Sequence, residues 1–310
     1  MKLKSIQQVT IIGAGRMGLG IGQEIATAGT PVSFYDIDTD QLAKLKPQIE
    51  DNLKRLVETR VITKSVVKPT MARITVSEVL KEAVNDADLV IEAVVENLEL
   101  KKKIFKTLDR LCPEHTILAS NTSSLMPGML ASVTQRVDRV LVAHYFYPAY
   151  LMPLVEIVRS EHTSEESVNT IFTFLKTMGK KPIVCQKEVP GFIANRLQII
   201  LEREAFHMVQ RGIASAQDVD RAVKYSFGRR LGVAGPFEIL EHNEGYDMTV
   251  ACEKYILPDM DTSDESYPLI LEMVKKNKIG LRSREGFYKW TPEFAEKWEK
   301  QMEKNLIGYL

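Results

Sequence analysis

The stretch VTIIGAGRMGLG, at residues 9–20, joins a short β-branched run to the start of a helical pattern through a glycine-rich turn. Gly13, Gly15 and Gly18 have the spacing G-x-G-x-x-G. The first glycine permits a tight turn, the second lets the backbone approach a pyrophosphate, and the third lets the helix pack closely on the strand. The N-terminus of the helix supplies N–H donors and a dipole that favours an anion. The stretch therefore predicts the strand–turn–helix unit of a dinucleotide-binding sheet.

An acidic residue indicates which dinucleotide is bound. Asp36 closes the next predicted strand, PVSFYD, at the distance from the glycines that is typical of such a site. Its carboxylate can accept hydrogen bonds from the hydroxyls of the adenosine ribose and repels a 2′-phosphate, which favours NAD over NADP. We assign Arg16 and Met17, inside the glycine motif, to the same cofactor site. The alternative is a glycine turn that serves packing alone.

Strand and helix patterns alternate outward from this motif. The predicted helices include residues 17–28, 39–60 and 98–111, and the predicted strands include ARIT, ADLVIEAV, HTILAS and residues 139–143, 155–158 and 182–185. Strands that alternate with helices of about ten or more residues are typical of a parallel sheet covered by helices on both faces. We therefore predict an α/β fold with a Rossmann-type, doubly wound parallel sheet.

The alternation ends near Pro190, which suits the first turn of a helix. The apolar residues that follow recur at helical spacing: Ile193, Leu197, Leu201, Ala205 and Met208. We predict an NAD-binding domain over residues 1–189 and an all-α substrate and dimerisation domain over residues 190–310, with the active site in the cleft between them. A last amphipathic helix, starting at Thr291 and Pro292, must dock on its own body or on a neighbouring subunit.

Composition excludes several classes of partner. The 41 basic and 41 acidic side chains give a formal net charge of zero, which indicates neither nucleic acid nor an anionic membrane surface. Because no apolar run is long enough to span a membrane and the N-terminus leads directly into a strand, we expect a cytoplasmic protein. The 3 cysteines are too scattered for a disulfide framework or a zinc site, so no metal is predicted. The run Lys101, Lys102 and Lys103 is interpreted as the solvated face of a helix.

The stretch AHYFYPAYLMPLVEIV, at residues 143–158, contains His144 and Glu156 in otherwise apolar surroundings. A nicotinamide-dependent dehydrogenase acting on an alcohol needs a base for the hydroxyl proton, and histidine titrates near working pH. A carboxylate on the far nitrogen of the ring fixes the tautomer and stabilises the imidazolium that forms. The alternative is a histidine satisfied in the core and a glutamate on the surface.

The sequence resembles the L-3-hydroxyacyl-CoA dehydrogenase family over nearly its whole length. The blocks that carry the resemblance are GAGRMG, VIEAVVENLELKKKIF, ASNTSSL, AHYFYP with LVEIV, VPGFIANRL, GPFE and NKIGLRSREGFY, in the family's order. The resemblance implies that His144 is the catalytic base and Glu156 its orienting partner. It also implies that Ser123 touches both substrate and nicotinamide, and that Asn195 holds the oxygen of the substrate. A turn-forming serine and a helix-capping asparagine are the alternatives for the last two.

The same resemblance implies further cofactor contacts. It places Glu96 and Lys101 near NAD, together with Arg282, where the family usually has lysine. It implies a homodimer and a small-molecule substrate of fatty-acid metabolism. Tyr147 departs from the family pattern, because it replaces an asparagine that would contact the nicotinamide end of the cofactor. Arg284 stands where the family usually has glycine.

A longer loop, FGRRLGVAGPFE, leaves the substrate open. Acyl-CoA members of the family have a shorter loop here, and this one resembles relatives that act on free hydroxy acids such as gulonate or carnitine. Arg229 or Arg230 could then pair with a substrate carboxylate, although an exposed salt bridge explains both equally well. Against this, DNLKRLVETRVITK resembles the helical arm that grips coenzyme A. The hypotheses are a short-chain 3-hydroxyacyl-CoA dehydrogenase, a free 3-hydroxy acid dehydrogenase, and a non-catalytic NAD-binding structural protein.

Overall fold

The structure is a computed structural model that describes residues 5–243 and 245–309. Two compact units follow each other along the chain, the first ending at Asn195 and the second running from Arg196 to Tyr309. None of the helices in this described part combines the length and the apolar character needed to cross a lipid bilayer.

The first unit alternates strands and helices. Its strands are β1 (Val9–Ile12), β2 (Val32–Tyr35), β3 (Ile74–Ser77), β4 (Leu89–Glu92), β5 (Ile117–Ser120), β6 (Val140–Tyr145), β7 (Leu154–Arg159) and β8 (Lys181–Cys185). Its helices are α1 (Arg16–Thr27), α2 (Thr39–Glu58), α3 (Lys64–Ala72), α4 (Leu80–Val84), α5 (Leu98–Leu111), α6 (Pro127–Ala131) and α7 (Glu165–Thr177). Helix α8 (Ala194–Gln210) begins at the end of this unit.

The strands form one sheet in the order β3-β2-β1-β4-β5-β6-β7-β8. All neighbouring strands are parallel except β6 and β7, which are antiparallel. The Rossmann-type prediction is confirmed, but a wholly parallel sheet is wrong at this one pair, because the short connection over residues 146–153 leaves no room for a crossover helix. The strand order reverses direction between β1 and β4, and open α/β sheets bind ligands in the crevice at this switch point.

The interior of the sheet explains its sequence pattern. The residues of β1, β4 and β5 are buried along their whole length, as expected for central strands with helices on both faces. Helix α2 turns one apolar stripe inward, and α1 does the same. The buried residues of these two stripes are Leu42, Leu45, Ile49, Leu53, Leu56, Ile21 and Ile25.

The helix predicted to start at Pro190 begins instead at Ala194. Gly191 and Phe192 have φ angles of 76° and 52°, in the left-handed region that an α-helix cannot include. The chain therefore makes a turn after Pro190 before α8 starts. The turn buries the ring of Phe192, and a non-glycine residue in this conformation gives no signal in the sequence.

The second unit is built from helices. They are α9 (Ala216–Tyr225), α10 (Gly228–Leu231), α11 (Pro236–Asn243), α12 (Gly245–Ile256), α13 (Pro268–Lys275) and α14 (Pro292–Ile307). Helix α14 starts where predicted, and the Thr291 hydroxyl caps it by accepting a hydrogen bond from the backbone N–H of Phe294. Phe294 and Trp298 of this helix pack on the ring of Trp290, which precedes the helix, and they remain 38% and 42% exposed.

A largely buried ion pair in the first unit makes a prediction about pH. Glu24 Oε1 lies 2.5 Å from Lys180 Nζ, and Lys180 also donates to the carbonyls of Ala149 and Met152. Burial raises the pKa of Glu24 to about 7, against the attraction of Lys180, which acts to lower it. Because the folded protein binds this proton more tightly than the unfolded chain, the contribution of Glu24 to stability is fully present below the ordinary pKa of 4.5 and is lost as pH rises through about 7.

We therefore expect Tm to fall between about pH 5 and about pH 8 by more in the parent protein than in Glu24→Gln. The difference in unfolding free energy between the two proteins should change by up to about 3 kcal/mol over this range. Calorimetry or circular dichroism across the range measures it. Parallel Tm curves for the two proteins would contradict the assignment.

Candidate active site

His144 and Glu156 face each other across the antiparallel strands β6 and β7, where the register pairs them directly. His144 Nδ1 lies 2.8 Å from Glu156 Oε2, and both side chains are buried. The rings of Phe146 and Phe192 lie on the imidazole, with centroids 4.5 and 5.5 Å from it. The structure therefore brings the predicted pair together in a position where water has little access.

The hydrogen bonds of the pair fix the tautomer of the histidine. Glu156 Oε1 accepts from the backbone N–H groups of Ile193 and Ala194, and its Oε2 faces the imidazole. Burial by itself acts to raise the pKa of Glu156. The bonds donated by His144 and by the two backbone groups outweigh burial and lower this pKa below its ordinary value. An ionised carboxylate needs a donor, so Nδ1 of His144 carries the proton and Nε2 presents a lone pair.

Ser123 lies beside this lone pair, and Asn195 contacts the backbone of Ser123. Ser123 Oγ is 3.1 Å from His144 Nε2, on the loop that follows β5. Asn195 Nδ2 donates to the backbone carbonyl of Ser123 at 3.3 Å, from the first turn of α8. The Ser123 side chain is exposed and that of Asn195 is half-buried, so both can reach a small molecule. Ser123 therefore lies next to Nε2 of His144, and Asn195 is joined to the same site through Ser123.

The glycine turn has the shape that a dinucleotide needs. Gly13 has a φ of +105°, and a Cβ there would lie 2.8 Å from the carbonyl oxygen of Ala93. A Cβ on Gly18 would lie 1.9 Å from the carbonyl oxygen of Gly13, whereas one on Gly15 would meet no atom within 4 Å. Gly15 caps α1 without a side chain, which leaves the first-turn N–H groups available to a phosphate. Asp36 Oδ2 accepts from the backbone N–H of Ala14 at 2.6 Å, so the acid also holds the turn.

A cavity of about 510 Å³ lies beside this turn, between the ends of β1, β2 and β4. Its lining includes Gly13, Gly15, Asp36, Val94 and Val95, so it combines a carboxylate with apolar side chains. The residues present therefore fit NAD, whose adenosine would take the apolar part and whose pyrophosphate would take the open side of Gly15.

Substitutions at Gly15 and Gly18 should distinguish an effect on cofactor binding from an effect on stability. In Gly15→Ala the added methyl meets open space at an unstrained φ of −67°, so we expect unchanged Tm but NADH binding weakened at least about tenfold, because the methyl occupies the approach of the pyrophosphate. Gly18→Ala should instead lower Tm, since its methyl overlaps the backbone of Gly13. Fluorescence titration with NADH and thermal melts of both variants test this. Undiminished NADH affinity in Gly15→Ala would contradict the placement of the pyrophosphate.

Arg16 and Tyr147, both predicted at the cofactor site, contact each other. The Arg16 guanidinium lies over the Tyr147 ring, 4.7 Å from its centroid, and the tyrosine is 57% exposed. The departure from the family pattern at Tyr147 thus comes with a cation–π contact to the glycine motif. Met17 follows Arg16 in α1 and is half-buried against the core.

The prediction of a solvated lysine face is wrong for Lys101. This side chain is 1% exposed, and its ammonium lies 2.7 Å from Glu92 Oε1 and 3.4 Å from Glu96 Oε2. Lys101 falls on the same stripe of α5 as the buried Phe105 and Leu108, a spacing that could have revealed its burial. Glu96 in turn accepts hydrogen bonds from Thr122 and Ser124, on either side of Ser123.

Burial acts to raise the pKa of Glu96. The bonds from Thr122 and Ser124, together with the charge of Lys101, outweigh burial and lower this pKa. Glu96 is therefore ionised at neutral pH.

Sequence reasoning missed Glu92, Thr122 and Ser124. Glu92 is fully buried at the end of β4. An acid that closes the apolar run LVIE was the sequence feature that could have indicated a buried carboxylate there.

The other three predicted arginines lie in the second unit. Arg229 and Arg230 belong to α10, and Arg282 belongs to the short 3₁₀ turn Leu281–Ser283, with all three exposed. Arg284 has a φ of 60°, in the left-handed region, which explains the family's preference for glycine there. Among residues 5–243 and 245–309, no group of three or more His, Cys, Asp or Glu side chains is placed to hold a metal ion.

Comparison with known proteins identifies the family of the chain. The model of the NAD binding domain of 3-hydroxyacyl-CoA dehydrogenase matches residues 8–189, and that of its C-terminal domain matches residues 191–290. The chain is 40% identical over 296 residues to the mitochondrial hydroxyacyl-coenzyme A dehydrogenase of Sus scrofa, covering 92% of this chain and 91% of the relative.

A second kind of relative covers more of the chain. The 5-formyl-3-hydroxy-2-methylpyridine 4-carboxylate 5-dehydrogenase of Mesorhizobium japonicum is 30% identical over 305 residues, covering 98% of this chain and 97% of the relative. A solved structure of such an enzyme, described as an NAD+ dependent dismutase, has a TM-score of 0.90, with 29% identity and 98% and 97% of the two chains covered. The (S)-3-hydroxybutyryl-CoA dehydrogenase of Ralstonia eutropha has a TM-score of 0.77 and 33% identity, with 93% and 100% covered.

Proposed function

The chain belongs to the 3-hydroxyacyl-CoA dehydrogenase family, and on this premise we propose that it oxidises the β-hydroxyl of a short-chain 3-hydroxyacyl-CoA to the 3-oxo group. The family makes it an NAD-dependent oxidoreductase that acts on a CH–OH group. The observation that carries the assignment of residues is the chain of contacts from Glu156 through His144 to Ser123.

His144 is the base in this proposal. Its Nε2 has the lone pair, because Nδ1 holds its proton toward Glu156, and it takes the proton of the substrate hydroxyl. NAD, when bound, supplies the acceptor for the hydride that leaves the same carbon. As the imidazole becomes cationic, the ionised Glu156 stabilises it, and the two backbone bonds at Oε1 keep the carboxylate in place. The enclosing rings of Phe146 and Phe192 strengthen this attraction by keeping water out.

Ser123 and Asn195 hold the oxygen on which the reaction takes place. The Ser123 hydroxyl can turn from His144 to the substrate, and the Asn195 amide has a second N–H beyond the one it gives to Ser123. Donors fixed in advance around a forming carbonyl are a large part of catalysis in such sites.

The arm formed by α2 and α3 supports a coenzyme A substrate. A groove of about 660 Å³ between the two helices is lined by apolar Val57, Val67 and Met71, by three lysines and by two acids. The lysines are Lys54, Lys64 and Lys68, the acids are Glu50 and Glu58, and Lys54 is paired with Glu50. Apolar walls beside lysine side chains suit a ligand that combines an apolar arm with phosphate groups.

A free carboxylate substrate is the second candidate. The relative that covers 98% of this chain is named for a pyridine carboxylate and not for a thioester, and its coverage extends past the family's C-terminal domain. Arg229 and Arg230, exposed on α10, are the side chains of the unusual loop that could bind such a carboxylate.

Rates of NADH formation at mildly alkaline pH decide between the two substrates. L-3-hydroxybutyryl-CoA is compared with free L-3-hydroxy acids, gulonate and carnitine among them. Turnover of the thioester supports the main proposal, and turnover confined to a free acid contradicts it in favour of the second.

A double variant makes the same distinction by a different route. In Arg229→Ala/Arg230→Ala, an enzyme for thioesters should keep its KM within about twofold, whereas loss of a bidentate carboxylate contact should raise KM about tenfold or more. Arg221→Ala, which removes an exposed arginine paired with Asp218 in α9, is the matched control. A free-acid enzyme whose KM is the same in all three proteins would exclude the two arginines as substrate ligands.

We also propose a homodimer. The second unit leaves large apolar side chains on α8 and α12 exposed, among them Leu197, Ile200 and Tyr255 at 50% exposure or more. A subunit that covered them would remove this area from water. Light scattering at micromolar concentration tests the mass, and a monomer would contradict the proposal.

A further inference from the structure

We infer that Glu92 is a positioning residue that connects the cofactor side of the crevice to the loop that carries Ser123. The inference rests on the proposed function insofar as it takes Ser123 to contact the substrate. Glu92 ends β4, next to the switch point of the sheet, and its side chain is fully buried.

Three donors converge on the carboxylate of Glu92. Oε1 accepts from Lys101 Nζ at 2.7 Å and from the backbone N–H of Val94 at 2.7 Å. Oε2 accepts from the hydroxyl of Ser120 at 2.6 Å. Lys101 is on α5 and Ser120 is at the end of β5, whereas Val94 is only two residues from Glu92. Glu92 therefore holds the loop that follows β4 to both α5 and β5.

The contacts on one side lead to the cofactor cavity. Val94 lines this cavity, and the adjacent Ala93 donates to the carbonyl of Ile12 at 2.8 Å. The carbonyl oxygen of Ala93 is the atom that a side chain on Gly13 would strike, so the loop held by Glu92 packs directly on the glycine turn. A shift of Val94 would therefore change the walls of the NAD site.

The contacts on the other side lead to Ser123. Ser120 begins the loop, and the hydroxyl of Ser120 also accepts from the backbone N–H of Thr122 at 3.2 Å. Lys101, which is paired with Glu92, also forms an ion pair with Glu96. Glu96 in turn accepts hydrogen bonds from the hydroxyls of Thr122 and Ser124. Ser123 is thus held from both flanks by groups that depend on the Glu92–Lys101 pair.

The buried charge of Lys101 explains why a carboxylate is required. An ammonium group removed from water must be paired, and Glu96 is 42% exposed in its side chain, so it cannot replace a partner inside the protein. A neutral side chain of the same shape would leave Lys101 without its closest counter-charge. The lysine would then move toward water, and both Val94 and Glu96 would move with it.

The test compares two glutamates that each pair with a buried lysine in the same unit. Glu92→Gln should weaken NADH binding about tenfold and lower kcat by about tenfold or more, since a displacement of about 1 Å at a reacting group can cost as much. Glu24→Gln removes the carboxylate next to Lys180 and should leave both quantities unchanged. Both are measured well below Tm. NADH affinity, read by fluorescence, needs no substrate, so this arm stands even if the proposed substrate fails.

A second measurement separates positioning from loss of stability. Adding Ser123→Ala to Glu24→Gln should lower kcat by the same factor as in the parent protein. Adding it to Glu92→Gln, where Ser123 is already displaced, should lower kcat only slightly. If Glu92→Gln does not fold, Ser120→Ala removes one donor to Glu92 and should weaken NADH binding about threefold. The inference is overturned if NADH affinity is parent-like in the Glu92 or the Ser120 variant. It is also overturned if the Glu24 and Glu92 variants lose NADH affinity and kcat equally, or if Ser123→Ala lowers kcat by the same factor in both backgrounds.

Discussion

Replacing His144 with glutamine should lower kcat by roughly 10²- to 10⁴-fold while NADH binds with parent affinity. Glutamine keeps a polar group of similar reach, but its amide cannot take a proton at working pH. NAD binding should persist because the glycine turn joins β1 to α1 and Asp36 follows β2, and in the sheet β4 and β5 separate these strands from β6. Stopped-flow or steady-state NADH formation gives the first quantity, and fluorescence titration gives the second.

The chain offers a matched control for this variant. His115 Nε2 lies 2.9 Å from Asp88 Oδ1, so it is also a histidine paired with a carboxylate, but it is at the other end of β5 from Ser120. His115→Gln should keep the parent kcat. Equal kcat in the parent and in His144→Gln would show that another group takes the proton.

Replacing Glu156 with glutamine should have the second largest effect, a fall in kcat of about 10³-fold. Donors from His144, Ile193 and Ala194 converge on the two carboxylate oxygens, and a glutamine can offer an acceptor to only one side. Either its NH₂ group meets the imidazole and reverses the tautomer, or it meets two backbone N–H groups. The first outcome puts the proton on Nε2 of His144, which can then no longer accept one, and the second places donors against donors at the backbone of Ile193 and Ala194. Both remove the negative charge that stabilises the imidazolium.

The same variant has a pH signature. Because the pKa of Glu156 is lowered in the fold, the ionised group adds stability above its ordinary pKa of 4.5, and this stability is lost as pH falls through the lowered value. The Tm of the parent should therefore exceed that of Glu156→Gln at neutral pH, and the difference should shrink below about pH 4. A difference that is constant from neutral pH to about pH 3 would contradict an ionised Glu156.

Local patterns predicted much of the fold. The glycine motif, the acid after the second strand and the helix Leu98–Leu111 follow from spacing within a few turns of chain, and the structure has them where the sequence places them. The antiparallel direction of β7 could not be predicted in this way, because it depends on pairing with β6. The delayed start of α8 depends on the left-handed turn at Phe192, which is stabilised by tertiary packing and not by residue type.

In the candidate site, too, local sequence features could be predicted and contacts between distant segments could not. The sequence singles out His144 and Glu156 because they are the one histidine and the one acid of the apolar stretch at residues 143–158, and the resemblance to the family implies their roles. The stripe that Lys101 shares with Phe105 and Leu108 could have indicated its burial, but its partner could not be identified in this way, because Glu92 is on a strand and not on the helix. Contacts between distant segments determine this part of the site, and sequence spacing carries little information about them.

The central claim is that hydride leaves the hydroxyl-bearing carbon for NAD while His144 takes the proton. The most direct measurement uses L-3-hydroxybutyryl-CoA with deuterium on that carbon, together with the parent protein and His144→Gln. We predict NADH that carries the deuterium at the nicotinamide ring, formed by the parent at a rate at least about 10²-fold above that of the variant. Unlabelled NADH from the parent, or labelled NADH at equal rates from both proteins, would contradict the account.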